Sequence, residues 1–180
     1  MPTFNIIKTA EPKKTFRVAS IMGKFDLESN QIKEHFEGNI DINDNWQIGL
    51  IVGKSGSGKT TIAKQLFPES YITNFEYLAE TILDDMPKNC SVEDITKAFN
   101  SVGFSSPPSW LKPYSVLSNG EKMRVDLARA ILEEQNLFVF DEFTSVVDRN
   151  VAQIGSFAMQ KAIRKSNKQF IAVTCHYDVE

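Results

Sequence analysis

Gly53-Lys54-Ser55-Gly56-Ser57-Gly58-Lys59-Thr60 has the residue types and spacing of a loop that holds phosphate. Glycine lets the chain turn tightly, so that successive backbone N–H groups converge on one anion. A helix starting at Lys59 adds the partial positive charge of its N-terminus. The Lys59 ammonium would reach the outer phosphates, the Thr60 hydroxyl would bind Mg²⁺, and Thr61 follows in the same first turn. A second group of chemically capable residues lies downstream. Leu137-Phe138-Val139-Phe140 is apolar and ends in Asp141-Glu142, as a buried strand ends in carboxylates at its C-terminal edge. There Asp141 would hold Mg²⁺ through water, and Glu142 would polarise an attacking water.

Between these groups, Leu117-Ser118-Asn119-Gly120-Glu121-Lys122-Met123-Arg124 resembles the ABC signature, LSGGQ followed by two residues and arginine. Thr144-Ser145-Val146-Val147-Asp148 resembles the family's D-loop, and His176 follows Asp141 at the distance of its switch histidine. With the phosphate loop and the acids, these motifs stand in family order from Gly53 to His176. The resemblance to ABC-type ATPases implies ATP and Mg²⁺ as ligands and a head-to-tail homodimer or pseudo-dimer formed on ATP. Each ATP would lie on one phosphate loop, Gly53 to Thr61. It would be capped by Ser118, Asn119 and Gly120 of the other protomer. Glu142, His176 and Lys59 are the expected catalytic groups, Thr60 and Asp141 the metal ligands, and Asp148 the link between the two sites. Adenine would stack on Phe25, with Phe36 the alternative.

The match also departs from the family. Asn119 replaces the first signature glycine, Glu121 the glutamine, and Phe143 the proline after the catalytic glutamate. No glutamine occurs from Leu66 to Glu134, so the family's Q-loop residue is missing. Asp84 or Asp85 could substitute; the plainer alternative is an exposed acidic pair. The Lys59–Leu117 stretch is short for the family, so residues 68–134 should hold a reduced helical subdomain. This argues against an ordinary transporter subunit. It favours a switch or motor resembling the ABC ATPases fused to predicted acetyltransferase domains, with an unidentified partner domain or protein. The nucleotide-binding subunit of a transporter is the alternative. A module that dimerises on ATP and barely hydrolyses it is a third reading.

The elements that must position these groups form an α/β P-loop NTPase: a largely parallel sheet flanked by helices, with an antiparallel N-terminal β part. One domain over 1–180 is expected, with 1–14 a loose arm or edge strand. Thr15–Met22 reads as a strand from its β-formers, and Asn39–Ile42 as a half-buried strand before a turn at Asp44-Asn45. Trp46–Val52 reads as a strand buried on both faces. Helices are expected from Lys59 to Phe67, after a short strand within Glu69–Leu83, from Ser91 (with Asp94 in a capping box) to Val102, from Ser118 to Glu134, and over Val151–Lys165. Ser105–Pro113 reads as a loop, and Asn136–Phe140 and Gln169–Thr174 as buried strands. A net charge of −3 gives no global basic excess to announce nucleic acid or an anionic membrane. No apolar run approaches the ~20 residues of a membrane helix, so direct membrane insertion is not expected. Cys90 and Cys175 match no metal spacing and suit a reducing cytoplasm. The chain stops four residues past His176, where the fold usually continues, so a longer protein is expected.

Overall fold

The protein is described by a computed structural model covering residues 3–27, 32–40, 45–144 and 147–175. The chain divides into two compact units, 1–42 and 43–180. In the first, β1 (Thr3–Ala10) pairs antiparallel with β2 (Ile32–Asn39), Ile6 lying opposite Phe36. The N-terminal arm is therefore a strand over most of its length. Between the two strands lies α1 (Phe16–Lys24), where the β-formers predicted a strand. The Thr15 hydroxyl accepts from Val18 N at 3.3 Å and caps a helix whose half-buried residues, Val18 and Met22, are four apart. Local capping here outweighs a weak β-propensity. Of the strand expected over Asn39–Ile42, Asn39 is the last residue of β2 and Ile40 lies beyond it; residues 41–44 lie outside the described residues.

The second unit holds a four-stranded sheet in the order β3-β6-β5-β4, every pair parallel. The strands are β3 (Ile48–Val52), β4 (Tyr71–Ile72), β5 (Leu137–Phe140) and β6 (Gln169–Thr174). Alternation along β5 and β6 divides the core between two faces. Val139, Ile171 and Val173 pack with Ala63 of α2 (Lys59–Leu66). Phe138, Phe170 and Ala172 face the other way, into a cluster with Phe99, Leu127 and Ile163. These last come from α3 (Val92–Ser101), α5 (Asn119–Leu132) and α6 (Arg149–Arg164). The central strands β5 and β6 are buried as expected. β3 is not: it is an edge strand of this sheet, half-buried, with Leu50 39% exposed.

The Ser91–Asp94 capping box forms at the start of α3 as its sequence predicts. No α-helix forms between β4 and α3. The Asp85 carboxylate instead accepts from Leu78 N and Ala79 N at 2.9 and 3.0 Å, and Thr81 donates to Asp84 at 2.7 Å. Such local side-chain bonds compete with a helical ladder, while Ile82 and Met86 are buried beneath the turns. The proline-rich stretch holds one short turn of helix, α4 (Pro107–Trp110), tied down by the Trp110 indole donating to Phe104 O at 2.9 Å. Among the described residues, no helix is long and apolar enough to cross a membrane.

Candidate functional site

The loop from Gly53 to Gly58 joins β3 to α2 and takes the shape its glycines allow. Gly58 caps α2 at φ 84°, a left-handed conformation that disfavours side chains. A Cβ on Gly53 would lie 2.8 Å from Ser57 Oγ, so a side chain there would make the Ser57 hydroxyl move. Ser57 N donates to Lys54 O at 3.2 Å, and the Lys59 ammonium folds back to Lys54 O at 3.0 Å. Lys54, Ser55, Gly56 and Ser57 are exposed at the rim, while Thr60 and Thr61 start α2 half-buried.

β6 lies between β3 and β5, and all three run parallel. The phosphate loop and Asp141-Glu142 therefore emerge at the same sheet edge, two strand spacings or about 10 Å apart. Asp141 is held by two donors. Glu142 N–H donates to Oδ1 at 2.9 Å, and the Tyr71 hydroxyl donates to Oδ2 at 2.5 Å. Burial, the bond to Asp141 and the nearby carboxylates push the Tyr71 hydroxyl well above its ordinary pKa, so it remains a donor. Glu142 is exposed and sits at φ 52°, a left-handed angle that is rare for a side-chain-bearing residue and clusters at functional sites. The chain then dives inward. Phe143 is buried against Phe170 and its N–H donates to Val173 O at 3.2 Å, a bond the family's usual proline could not make. The Thr144 and Thr174 hydroxyls meet at 3.0 Å, fastening this segment to the end of β6.

The donor set fits a magnesium triphosphate: a backbone-lined loop with an ammonium, a hydroxyl at a helix start and a carboxylate across the edge. The fit rests on the chemistry of the set: the Lys59 ammonium for phosphate oxygens, and the Thr60 hydroxyl and Asp141 carboxylate for a hard cation.

Ser118 is the N-cap of α5. The Glu121 carboxylate accepts from Ser118 N at 2.9 Å and Ser118 Oγ at 2.8 Å, and Ser109 Oγ donates to its other oxygen at 3.1 Å. These bonds from Ser118 hold the Glu121 carboxyl below the usual carboxylate range. The departure from the family glutamine is thus a capping box, and the Ser-x-x-Glu spacing signalled it. Gly120 packs closely, since a Cβ there would meet Val151 Cγ1 at 3.2 Å and Val151 would have to give by a few tenths of an ångström. Asn119 lines a cavity shared with Asp141 and Glu142. Asp148 is exposed and caps α6, accepting from Asn150 N and Val151 N at 3.0 and 3.1 Å. Phe25 ends α1 in the first unit, its ring 62% exposed, whereas Phe36 is half-buried in β2. His176, Ser145 and Val146 lie outside the described residues. Asp84 and Asp85 serve the loop between β4 and α3, as described above. Asn74 belongs to none of the motifs above. It follows the two-residue strand β4 and lines the same cavity as Asp141 and Glu142.

Beside this cavity, Asp126 of α5 receives the hydroxyls of Tyr77 at 2.7 Å and Tyr114 at 2.8 Å, whose rings stack at 3.9 Å. Arg129 lies over Phe75 and Tyr77 and donates to Glu76 O at 2.6 Å. The cluster ties the segment after β4 to the signature helix. Burial raises the Asp126 carboxyl to about 6 despite its two donors and the nearby cations. The folded state then binds more protons than the unfolded state between the ordinary value of 3.8 and about 6, so stability is lost as pH rises through that window. The loss from pH 4 to pH 7 should be about 3 kcal/mol at most. Urea unfolding should show it in wild type relative to Asp126→Asn, which cannot ionise. Parallel pH profiles for the two proteins would refute it.

A parallel sheet with a glycine-rich phosphate loop after its first strand and paired acids after another defines the P-loop nucleotide hydrolases. The ABC transporter family model matches residues 65–145. The energy-coupling factor transporter ATP-binding protein EcfA of Malacoplasma penetrans is 26% identical, over 97% of this chain and 72% of its own. The ribosome protection protein VmlR of Bacillus subtilis is 28% identical, over 54% of this chain and 21% of its own. The ATP-binding cassette MJ0796 in a post-hydrolysis dimer with ADP and Pi has a similar fold, with a TM-score of 0.66 at 14% identity over 98% of this chain and 88% of that one. The match over residues 65–145 and the ATP-binding relatives support reading the chain as an ABC-type ATPase nucleotide-binding domain, an ATP hydrolase by class.

Proposed function

We propose that this domain binds MgATP and hydrolyses it to ADP and phosphate in a head-to-tail dimer, and that the cycle works a conformational switch on a partner. The observation that carries this reading is the common sheet edge of the phosphate loop and Asp141-Glu142, set apart by the single strand β6. The Gly53–Thr61 backbone and the Lys59 ammonium bind the polyphosphate, for which Lys59 exchanges its bond to Lys54 O. Thr60 and Asp141 would hold Mg²⁺, which neutralises charge developing on the phosphate oxygens. Glu142 takes hydrogen-bond charge from the attacking water, and His176 steadies that water against the γ-phosphate. Asn74 supplies the amide that the family draws from its Q-loop glutamine. Ser118, Asn119 and Gly120 of the partner subunit close the site with the α5 N-terminus, and Asp148 links the two sites.

The short turn-built segment between β4 and α3 supports a switch outside transport, in the cytoplasm. The ribosome-acting relative is an example of such use within the superfamily. The EcfA likeness favours the second reading, a transporter's nucleotide-binding subunit. Sedimentation velocity with MgATP against MgADP tests the common core: the ATP form of Glu142→Gln should sediment as a dimer and the ADP form as a monomer. A monomer with MgATP bound at saturation would overturn the dimer. Co-purification of a polytopic membrane protein with the native chain would favour transport.

A further inference from the structure

Tyr71 is one of the two residues of β4 and belongs to none of the motifs above. Its register explains its reach. Tyr71 lies beside Val139 in a parallel pair, and Asp141 is two residues beyond Val139 on the same side of the chain. Two residues of strand rise about 6.6 Å, close to the length of a tyrosine side chain, so its hydroxyl arrives at the Asp141 carboxylate. The ring is held from the other side by α2, where the Lys64 ammonium lies 4.9 Å from its centroid. It also packs against the cluster of Ala63, Val139, Ile171 and Val173. Tyr71 thus touches both the helix that carries the phosphate loop and the carboxylate across the edge.

We infer that Tyr71 is a positioning residue that fixes the rotation of the Asp141 carboxylate for the metal ion. The inference rests on the reading of Asp141 as the metal carboxylate. The Tyr71 hydroxyl and the Glu142 amide each take one oxygen, and together they define the carboxylate plane. Each oxygen keeps one lone-pair direction for a metal-bound water. Without the hydroxyl, only the amide holds the group among the described residues, and the carboxylate can turn away from the phosphate side. Hydrogen-bonded partners of metal-binding carboxylates commonly tune affinity in this way.

Tyr71→Phe keeps the ring, its packing and its place beside Lys64, and removes only the hydroxyl. Mn²⁺ binding to the ATP-loaded protein, followed by electron paramagnetic resonance of free Mn²⁺ in the non-turning-over Glu142→Gln background, should weaken about three- to tenfold. ATP affinity in excess EDTA and the melting temperature of the free protein should remain those of the parent. Unchanged or tighter Mn²⁺ binding in Tyr71→Phe, with weaker binding in Asp141→Asn, would overturn the inference and leave the proposed function standing. Equal loss of ATP affinity in EDTA would also overturn it, by making Tyr71 a packing residue of the loop. Unchanged Mn²⁺ binding in Asp141→Asn would remove the metal reading of that carboxylate, and this inference with it.

Discussion

Lys59→Ala should weaken MgATP binding at least about a hundredfold, the largest expected effect on nucleotide affinity. The ammonium is the one positive group on the first turn of α2, and a hydrogen bond between two charged partners in a partly desolvated loop is worth roughly 3 kcal/mol or more. The backbone amides and the helix end remain but carry only partial charge. The free protein should barely notice the change, because the ammonium's bond among the described residues is an exposed contact with Lys54 O. Two measurements separate these statements. Calorimetric titration should lose its MgATP signal at concentrations that saturate wild type. Thermal unfolding should start from the same apo midpoint, without the ligand stabilisation of about 2.7 kcal/mol expected at a hundred times Kd. A variant that still melts higher with MgATP would mean that the phosphate loop is not the site.

The second large effect is on turnover. Glu142→Gln should lower steady-state phosphate release about a hundred- to ten-thousandfold, the range that general-base catalysis contributes, while leaving MgATP affinity close to that of wild type. Glutamine has the shape of glutamate and keeps an oxygen for the water, but it cannot take a proton or stabilise developing positive charge. Glutamine also keeps the left-handed backbone at φ 52°, so the loss cannot be assigned to a reshaped turn. Glu142→Gly provides the converse control: it should relax that angle and slightly stabilise the fold, yet be equally inactive. Phosphate-release assays with fluorescent nucleotide titrations separate the two effects. Wild-type turnover in Glu142→Gln would remove Glu142 from the catalytic role.

The legible parts of the sequence were those set by neighbours along the chain. Gly53–Thr60 is consecutive, so its loop and the helix after it could be read without knowing the rest. The β6 bounds, Gln169–Thr174, agree with the expected strand because its apolar run, Phe170–Val173, is central and buried. The α3 capping box was read, and the same pattern at Ser118 and Glu121 was passed over because Glu121 had been viewed as a departure from a motif. The errors fall where burial or competing local bonds decide. α1 was given to a strand because its β-formers were weighed without the Thr15 cap. The segment between β4 and α3 was given a helix because the Asp85 bonds to Leu78 and Ala79 lie outside any periodic pattern. β3 was read as buried from its apolar content, but sheet order makes it an edge strand.

By itself the sequence determined the chemistry available and its order: a phosphate loop, a signature helix start, and a carboxylate pair closing an apolar strand. These are local features, fixed by the backbone freedom of glycine, by capping and by short apolar runs. Only the tertiary structure decided which groups meet. Tyr71 and Asp141 are 70 residues apart in sequence, and Tyr77 and Asp126 are 49 apart. Each pair forms because parallel strands and packed helices bring distant side chains within hydrogen-bond reach. No pattern along the chain encodes such a meeting, because its geometry comes from strand order and register, which the whole hydrophobic core selects together.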